Sequence, residues 1–216
     1  MSARPVGANA LLLEVDDPLA WHRELVRRRR RGDLQAVDIV PGARTVLIDG
    51  VPDPERLAAA VAGWSPSDDP AGTDPAGTDP TANEPGNPPP TDPVNIPVRY
   101  IGADLPDVAE LWGCSFEAAV AAVAATTFTV AFCGFSPGFA YLRGALPRVP
   151  RLATPRPRVA AGSVALADGY AGIYPTDSPG GWRVIGTTDA VMFDLHRDPP
   201  VLLAPGTLVC LVPVPS

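Results

Sequence analysis

The stretch TFTVAFCGFSPGFAYL at residues 127–142 decides the architecture of the larger part of this chain. Residues 127–133 are β-branched and aromatic, and they follow directly on an alanine-rich helical run, so the pattern switches there from helix to strand. From this point to the end, glycine and proline recur every few residues between short apolar runs at 163–166, 182–185, 191–193 and 208–212. Short strands punctuated by turn residues are the pattern of a compact β-barrel or sandwich.

Upstream of that stretch, residues 96–100 start a strand and 105–112 a helix. Ser115 caps a second helix with its body at 118–125, and Glu117 sits in its first turn, where the helix dipole favours a carboxylate. Residues 65–93 are of a different kind. They hold 9 of the 28 prolines, the tandem repeat Ala71-Gly72-Thr73-Asp74-Pro75 and Ala76-Gly77-Thr78-Asp79-Pro80, and six acids with no base. Such a segment buries too little apolar surface to offset its ordering entropy, so it reads as an acidic, proline-rich, disordered linker. It also carries most of the net charge of −7. Residues 1–64 and 94–216 are then two nearly neutral lobes.

The first lobe reads as strand 8–15, helix, strands 34–40 and 45–48 about the turn Pro41-Gly42-Ala43-Arg44, and a second helix 55–62. Asp17-Pro18 and Asp53-Pro54 each supply an N-cap with a proline in the first turn. One sheet face covered by two helices gives a small α+β lobe. The run from Arg27 to Arg31 closes the first helix, where cations complement the dipole. The lobe is neutral, which favours a solvated helix end over a nucleic-acid patch.

Composition removes several chemistries. The 17 cationic side chains are all arginine, so there is no Schiff-base lysine, no P-loop lysine and no lysine to carry biotin. Cys114, Cys133 and Cys210 are odd in number and lack CxxC spacing, which argues for buried free thiols rather than disulfides or structural zinc. The two histidines, His22 and His196, are not flanked by a nucleophile elbow, and Asp194 with His196 is too small a set for a metal. No run is long enough for a leader or a membrane span, so a cytoplasmic protein is expected.

Three stretches carry whatever chemistry there is. In Phe132-Cys133-Gly134-Phe135-Ser136-Pro137-Gly138-Phe139-Ala140-Tyr141-Leu142, a tight Ser-Pro-Gly turn gathers Phe135, Phe139 and Tyr141, either as a pocket wall or as a packed barrel corner. In Thr154-Pro155-Arg156-Pro157-Arg158, two guanidiniums two residues apart share a side of an extended segment. They suit a carboxylate or phosphate, or else carry surface salt partners. In Tyr174-Pro175-Thr176-Asp177-Ser178-Pro179-Gly180-Gly181-Trp182, consecutive glycines and the Thr176 and Ser178 hydroxyls offer a weak anion cradle beside the flat wall of Trp182.

Read in order, CGFSPGFAYL, RLATPRPRVAAGSVAL, GIYPTDSPGGWRVIG and FDLHRDPPVLLAPG resemble the signature blocks of the allophanate hydrolase subunit 1 family, which includes the B subunit of 5-oxoprolinase and the kinase inhibitor KipI. The resemblance implies an α+β N-terminal lobe followed by a cyclophilin-like β-barrel. It implies a chain that is inactive alone and joins two companions in ATP-dependent opening of 5-oxo-L-proline: an allophanate hydrolase subunit 2 protein, resembling the C subunit of 5-oxoprolinase, and a LamB/YcsF-type A subunit. Kinase inhibition and the carboxyltransferase half of a urea carboxylase are the alternatives within the family. The implied binding set is Phe135, Pro137, Gly138, Arg156, Arg158, Ser163, Tyr174, Ser178, Gly180, Gly181 and Trp182, with ATP shared with the partners, no tightly bound cofactor, no metal and no assigned catalytic base. Neither nucleic acid nor membrane is an expected partner. Two departures stand out: Tyr170-Ala171 replaces a common Gln-Thr pair, and Val123 replaces a common histidine.

Overall fold

The computed structural model describes residues 1–66 and 92–215, and the chain separates into two units, Met1–Pro88 and Pro89–Ser216. The expected linker falls almost entirely on residues 67–91, outside the described residues.

The first unit follows its caps. The Asp17 carboxylate accepts the Ala20 N–H at 2.9 Å and starts α1 (Pro18–Arg31), which stops at Gly32 in the left-handed conformation. Asp53 accepts the Arg56 N–H at 2.9 Å and starts α2 (Pro54–Val61). Between and around the helices lie β1 (Ser2–Val6), β2 (Ala10–Glu14), β3 (Asp38–Pro41) and β4 (Thr45–Asp49), paired antiparallel in the order β1-β2-β4-β3. Alternate residues Leu11, Leu13, Val46 and Ile48 meet Trp21 and Leu25 of α1 and Leu57 and Val61 of α2 in one core. Burying each such side chain contributes roughly 1.5–3 kcal/mol.

Two expectations change here. β1 was not foreseen, because an exposed edge strand containing Pro5 pairs through its backbone and shows no alternation. The arginine run is only partly solvated. Arg27 and Arg28 both pair with the buried Glu24, and the Arg28 guanidinium lies 4.1 Å over the Trp64 ring. Arg30 and Arg31 are exposed.

In the second unit, β5 (Val94–Val98) leads to α3 (Leu105–Trp112) and α4 (Phe116–Ala124), the latter capped by Ser115 Oγ at 3.2 Å from the Ala118 nitrogen. Then come β6 (Thr127–Cys133), β7 (Ala140–Arg143), β8 (Arg156–Val159), β9 (Ser163–Ala167), β10 (Tyr170–Ile173), β11 (Ser178–Gly180), β12 (Arg183–Thr187) and β13 (Leu208–Pro213). Seven of these pair in the order β12-β9-β10-β7-β6-β13-β5, with β5 and β13 parallel and the rest antiparallel. β8 and β11 form a separate ribbon.

The ends of the seven-stranded sheet meet. Arg99 and Thr187 exchange both backbone hydrogen bonds at 2.9 Å, Gly102 N–H donates to Ile185 at 3.1 Å, and Asp104 N–H donates to Val184 at 3.0 Å. Segment 99–104 thus continues β5 along β12 and closes a barrel. Two glycines permit the approach. A Cβ on Gly186 would lie 2.6 Å from the Arg99 carbonyl oxygen, and one on Gly102 would overlap the backbone of Val184 and Ile185.

Strand alternation then sorts side chains to two sides of the wall. Val164, Leu166, Ala171, Ile173 and Leu142 face a core shared with Ile96, Phe128, Ile185 and Leu211 and with Leu105 and Val108 of α3. Ala165 and Ala167 face the other way, into a cluster with Phe139, Val159, Tyr174 and Trp182. A bulge between Val130 and Phe132 turns the Phe132 ring to this outer side.

Residues 191–193 do not form the expected strand. Their pairing is limited to one bridge between Phe193 and Val201, flanked by Leu202 N–H to the Met192 carbonyl and Asp194 N–H to the Pro200 carbonyl, both at 2.9 Å, while the Arg197 guanidinium donates to the backbone oxygens of Val191, Met192, Pro199 and Pro200. β7, β8, β10 and β11 are three or four residues each, too short to show a period. Cys114 is exposed rather than buried, since it follows the α3 cap Gly113, while Cys133 and Cys210 are half-buried. Both departures from the family pattern at Val123 and Ala171 lie within the apolar core.

Buried His22 on α1 is held neutral. Burial lowers its pKa from 6.5 to about 4 against the opposing effect of its hydrogen bond with the Ile39 backbone, with Arg29, Asp38 and Arg23 nearby. The unfolded chain takes up this proton near 6.5 and the folded chain only near 4, so stability falls as pH drops through that window, by on the order of 3 kcal/mol. Urea denaturation at pH 7 and pH 4.5 is expected to show this loss, and His22→Asn to flatten it. At the seam, Gly102→Ala is expected to lower stability by about 2–3 kcal/mol, whereas Asp189→Ala, which removes an exposed ion pair to Arg99, leaves the urea midpoint nearly unmoved.

Candidate functional site

The sequence blocks converge on the outer side of the barrel wall. Phe139 is the hub: its ring lies 5.3 Å from Phe135, 5.1 Å from Tyr141, 5.4 Å from Tyr174 and 5.5 Å from Trp182, all edge-on. Tyr141 in turn stacks on Phe132 at 4.2 Å and meets Tyr170 edge-on at 5.8 Å. Half of the protein's aromatic residues therefore sit on one side of one wall.

Residues 134–139 fold as a tight turn closed by Phe139 N–H to the Ser136 carbonyl at 3.0 Å and Gly134 N–H to the Phe139 carbonyl at 3.1 Å. Gly138, at φ +82°, lies flush against Met192 and Phe193. Phe135 adopts φ +73° and is 63% exposed, an uncommon backbone for an L-residue spent on holding an apolar ring in solvent. Pro137 is exposed beside it.

Both expected anion-binding arginines have carboxylate partners. Arg156 makes a bidentate pair with Asp104, Nη1 at 2.8 Å and Nη2 at 2.7 Å. Asp104 is 4% exposed and also accepts the Val184 N–H at 2.7 Å, so its carboxylate turns away from the α3 terminus to tie β8, β12 and the helix start together. The Asp104 hydrogen bonds raise the Arg156 pKa further. Arg158 pairs with Asp177 through Nε at 2.8 Å. The Ala161 N–H, and then Arg158, hold the Asp177 carboxyl below its usual range. Each guanidinium keeps N–H groups that these pairs do not use.

The remaining expected residues divide between core and surface. Tyr174 and Trp182 are buried, forming the floor under the outer wall rather than an open face. Burial pushes the Tyr174 phenol up, so it stays neutral. Ser163 is buried, its carbonyl accepting the Tyr174 N–H. Gly180 is needed by Tyr174, since a Cβ there would overlap the phenol oxygen, while a Cβ on Gly181 meets nothing closer than 3.7 Å. Ser178 Oγ and Ser136 Oγ are buried without a hydrogen-bond partner. Sequence reading placed Tyr141 with Phe135 and Phe139 at the glycine-bracketed turn, where the structure also gathers them, and missed Asp104 and Asp177. Asp194 accepts the His196 N–H within a turn, and among the described residues no cluster of three or more His, Cys, Asp or Glu could hold a metal.

The family model described as carboxyltransferase domain, subdomain C and D, matches residues 1–203. The B subunit of 5-oxoprolinase from Escherichia coli O157:H7 is 34% identical over 223 residues, covering 96% of this chain and 94% of that one. The crystal structure of TTHA0988 superposes with a TM-score of 0.73 at 30% identity over 96% of this chain, which spans 40% of that longer one. The Kluyveromyces lactis urea carboxylase shares the fold, with a TM-score of 0.65 at 17% identity over 99% of this chain and 22% of the other. The architecture is thus α+β, with the second unit a cyclophilin-like β-barrel.

Asp104→Asn removes the charge that balances a half-buried guanidinium. It is expected to lower stability by roughly 2–4 kcal/mol in chemical denaturation, whereas Asp177→Asn, at an exposed pair, leaves the transition close to that of the unmodified protein.

Proposed function

The chain belongs to the carboxyltransferase-domain family, subdomain C and D, and from that premise we propose that it is the B subunit of an ATP-dependent 5-oxoprolinase that opens 5-oxo-L-proline to L-glutamate. The observation that carries the reading is the match along nearly the whole of both chains to a protein named as the B subunit of 5-oxoprolinase. A lactam resists water because its nitrogen lone pair is delocalised into the carbonyl. In the proposed sequence the γ-phosphoryl of ATP passes to the lactam oxygen, releasing ADP. Water then adds to the activated carbon, the ring C–N bond breaks as the nitrogen takes a proton, and a second water hydrolyses the resulting acyl phosphate to the side-chain carboxylate of glutamate and free phosphate.

This chain would supply part of the anion-handling surface. The unused N–H groups of Arg156 and Arg158 and the unpartnered Ser178 hydroxyl fit a carboxylate or phosphate oxygen, with Phe135 as an apolar wall and Tyr174 and Trp182 fixing the turn from behind. With each guanidinium already balanced by a carboxylate and no lysine present, the net positive charge for a triphosphate has to come largely from elsewhere. Residues 134–138, 156–158 and 178–182 therefore form half a site, completed by two companions, one of the C type (allophanate hydrolase subunit 2) and one of the LamB/YcsF type.

Coexpression with these two companions from the same host is expected to yield glutamate release that requires both ATP and 5-oxoproline, and the isolated chain to yield none. A well-folded complex of all three proteins without such release would overturn the reading.

A further inference from the structure

Resting on the reading just given, we propose that the free fork of the Arg156 guanidinium, its Nε–H and the second N–H of Nη2, binds the carboxylate of 5-oxo-L-proline, and that Asp104 is the positioning residue that aims it.

A guanidinium has two edges on which a pair of N–H groups points the same way, one across the two Nη atoms and one across Nε and Nη2. Asp104 takes the first edge of Arg156, through Oδ2 to Nη1 at 2.8 Å and Oδ1 to Nη2 at 2.7 Å. The second edge has no acceptor among the described residues, and its Nε is not sealed from solvent. Arg158 is spent the opposite way. Its Nε and Nη2 both meet Asp177 Oδ2, and its side chain is 75% exposed against 36% for Arg156. Water competes with any anion at Arg158, so the stronger remaining fork is that of Arg156.

Asp104 can aim this fork because it is itself fixed. Its Oδ2 also accepts the Val184 N–H at 2.7 Å, and its own backbone N–H donates to the Val184 carbonyl at 3.0 Å. Pro155 and Pro157 stiffen the chain on either side of Arg156, and Gly180, its partner in β11, brings no side chain. A carboxylate therefore meets a guanidinium whose plane is already set, with little ordering left to lose. Charge separates this ligand from the nucleotide. With Asp104 in place the group is neutral, which suits one bidentate carboxylate and not a triphosphate. In this unit Arg197 serves four carbonyls. Among the described residues, the cations left without a carboxylate or carbonyl partner are Arg143, which touches the Tyr170 hydroxyl at 3.4 Å, and the exposed Arg148, both outside β8 and β11.

The test is steady-state kinetics of the complex of this chain with its two companions. 5-Oxo-L-proline and ATP are varied separately, and 5-oxo-L-prolinamide serves as a competitor that lacks the charge. Arg156→Lys keeps the charge that balances Asp104 and loses only the fork, so it carries the test in a folded chain. It is expected to raise the KM for 5-oxoproline about 10-fold or more, leaving the KM for ATP and the inhibition constant of the amide unchanged. Asp104→Glu keeps the ion pair but displaces the guanidinium by a methylene. It is expected to raise the same KM, and the double variant to be no worse than Arg156→Lys alone. Arg44→Ala in the first unit changes none of these values. If the complex is active and Arg156→Lys leaves the KM for 5-oxoproline unchanged, the proposal is overturned and the 5-oxoprolinase reading survives. A rise in the KM for ATP makes Arg156 a phosphate contact, and a parallel rise in the amide constant makes the effect structural; either overturns the assignment. If Asp104→Glu leaves the KM unmoved, the positioning role is overturned. If the unmodified complex releases no glutamate, both readings fall.

Discussion

The larger unit is a barrel, and not an open sheet, because the polypeptide after β5 can lie directly against β12. That contact depends on two positions without a Cβ, Gly102 and Gly186, where the backbones of residues 99–104 and 184–187 come within hydrogen-bonding distance. Once the ring is closed, each strand has an inside and an outside, and inward residues from distant parts of the sequence form one core. The closure also brings the start of α3 to β12, which places the Asp104 carboxylate between the Val184 N–H and the Arg156 guanidinium. The geometry of Arg156 therefore descends from the seam, where Asp104 pairs by backbone with Val184 and by side chain with the guanidinium.

What the sequence disclosed divides along the same line. Local signals were read correctly: Asp17, Asp53 and Ser115 cap helices through hydrogen bonds spanning three residues, and such bonds are visible in any short window. Nonlocal ones were not. Val191-Met192-Phe193 has strand composition, but its backbone pairing stops at one bridge to Val201, with Arg197 adding side-chain bonds to the Val191 and Met192 carbonyls. Phe132 follows Phe128 and Val130 at even spacing and would share their inward side, until a bulge reverses it. In the site, the spacing of Arg156 and Arg158 was informative about their shared strand and silent about their partners, because Asp104 lies 52 positions away and Asp177 lies 19. The aromatic wall was partly legible in the glycine-bracketed turn, which pointed to Phe135, Phe139 and Tyr141 together, yet the stacking of Phe132 on Tyr141 emerges only from strand pairing.

Absence of lysine shapes how this protein manages charge. Arginine's planar fork makes paired contacts that an ammonium does not, and the second unit uses it so in the Asp104 pair. Pairing leaves the site residues Arg156 and Arg158 close to electrically neutral as groups. The surplus lies at Arg143 and Arg148 instead, so the place that attracts opposite charge is displaced from the place that holds the substrate anion in the proposed reaction.

The Arg197 clasp also bears on the aromatic turn. One guanidinium links carbonyls at both ends of residues 191–200, so removing it takes the donor from four acceptors at both ends of the loop at once. The turn at 134–138 lies flush against Met192 and Phe193 through Gly138, so that single side chain supports the backbone against which the aromatic turn rests.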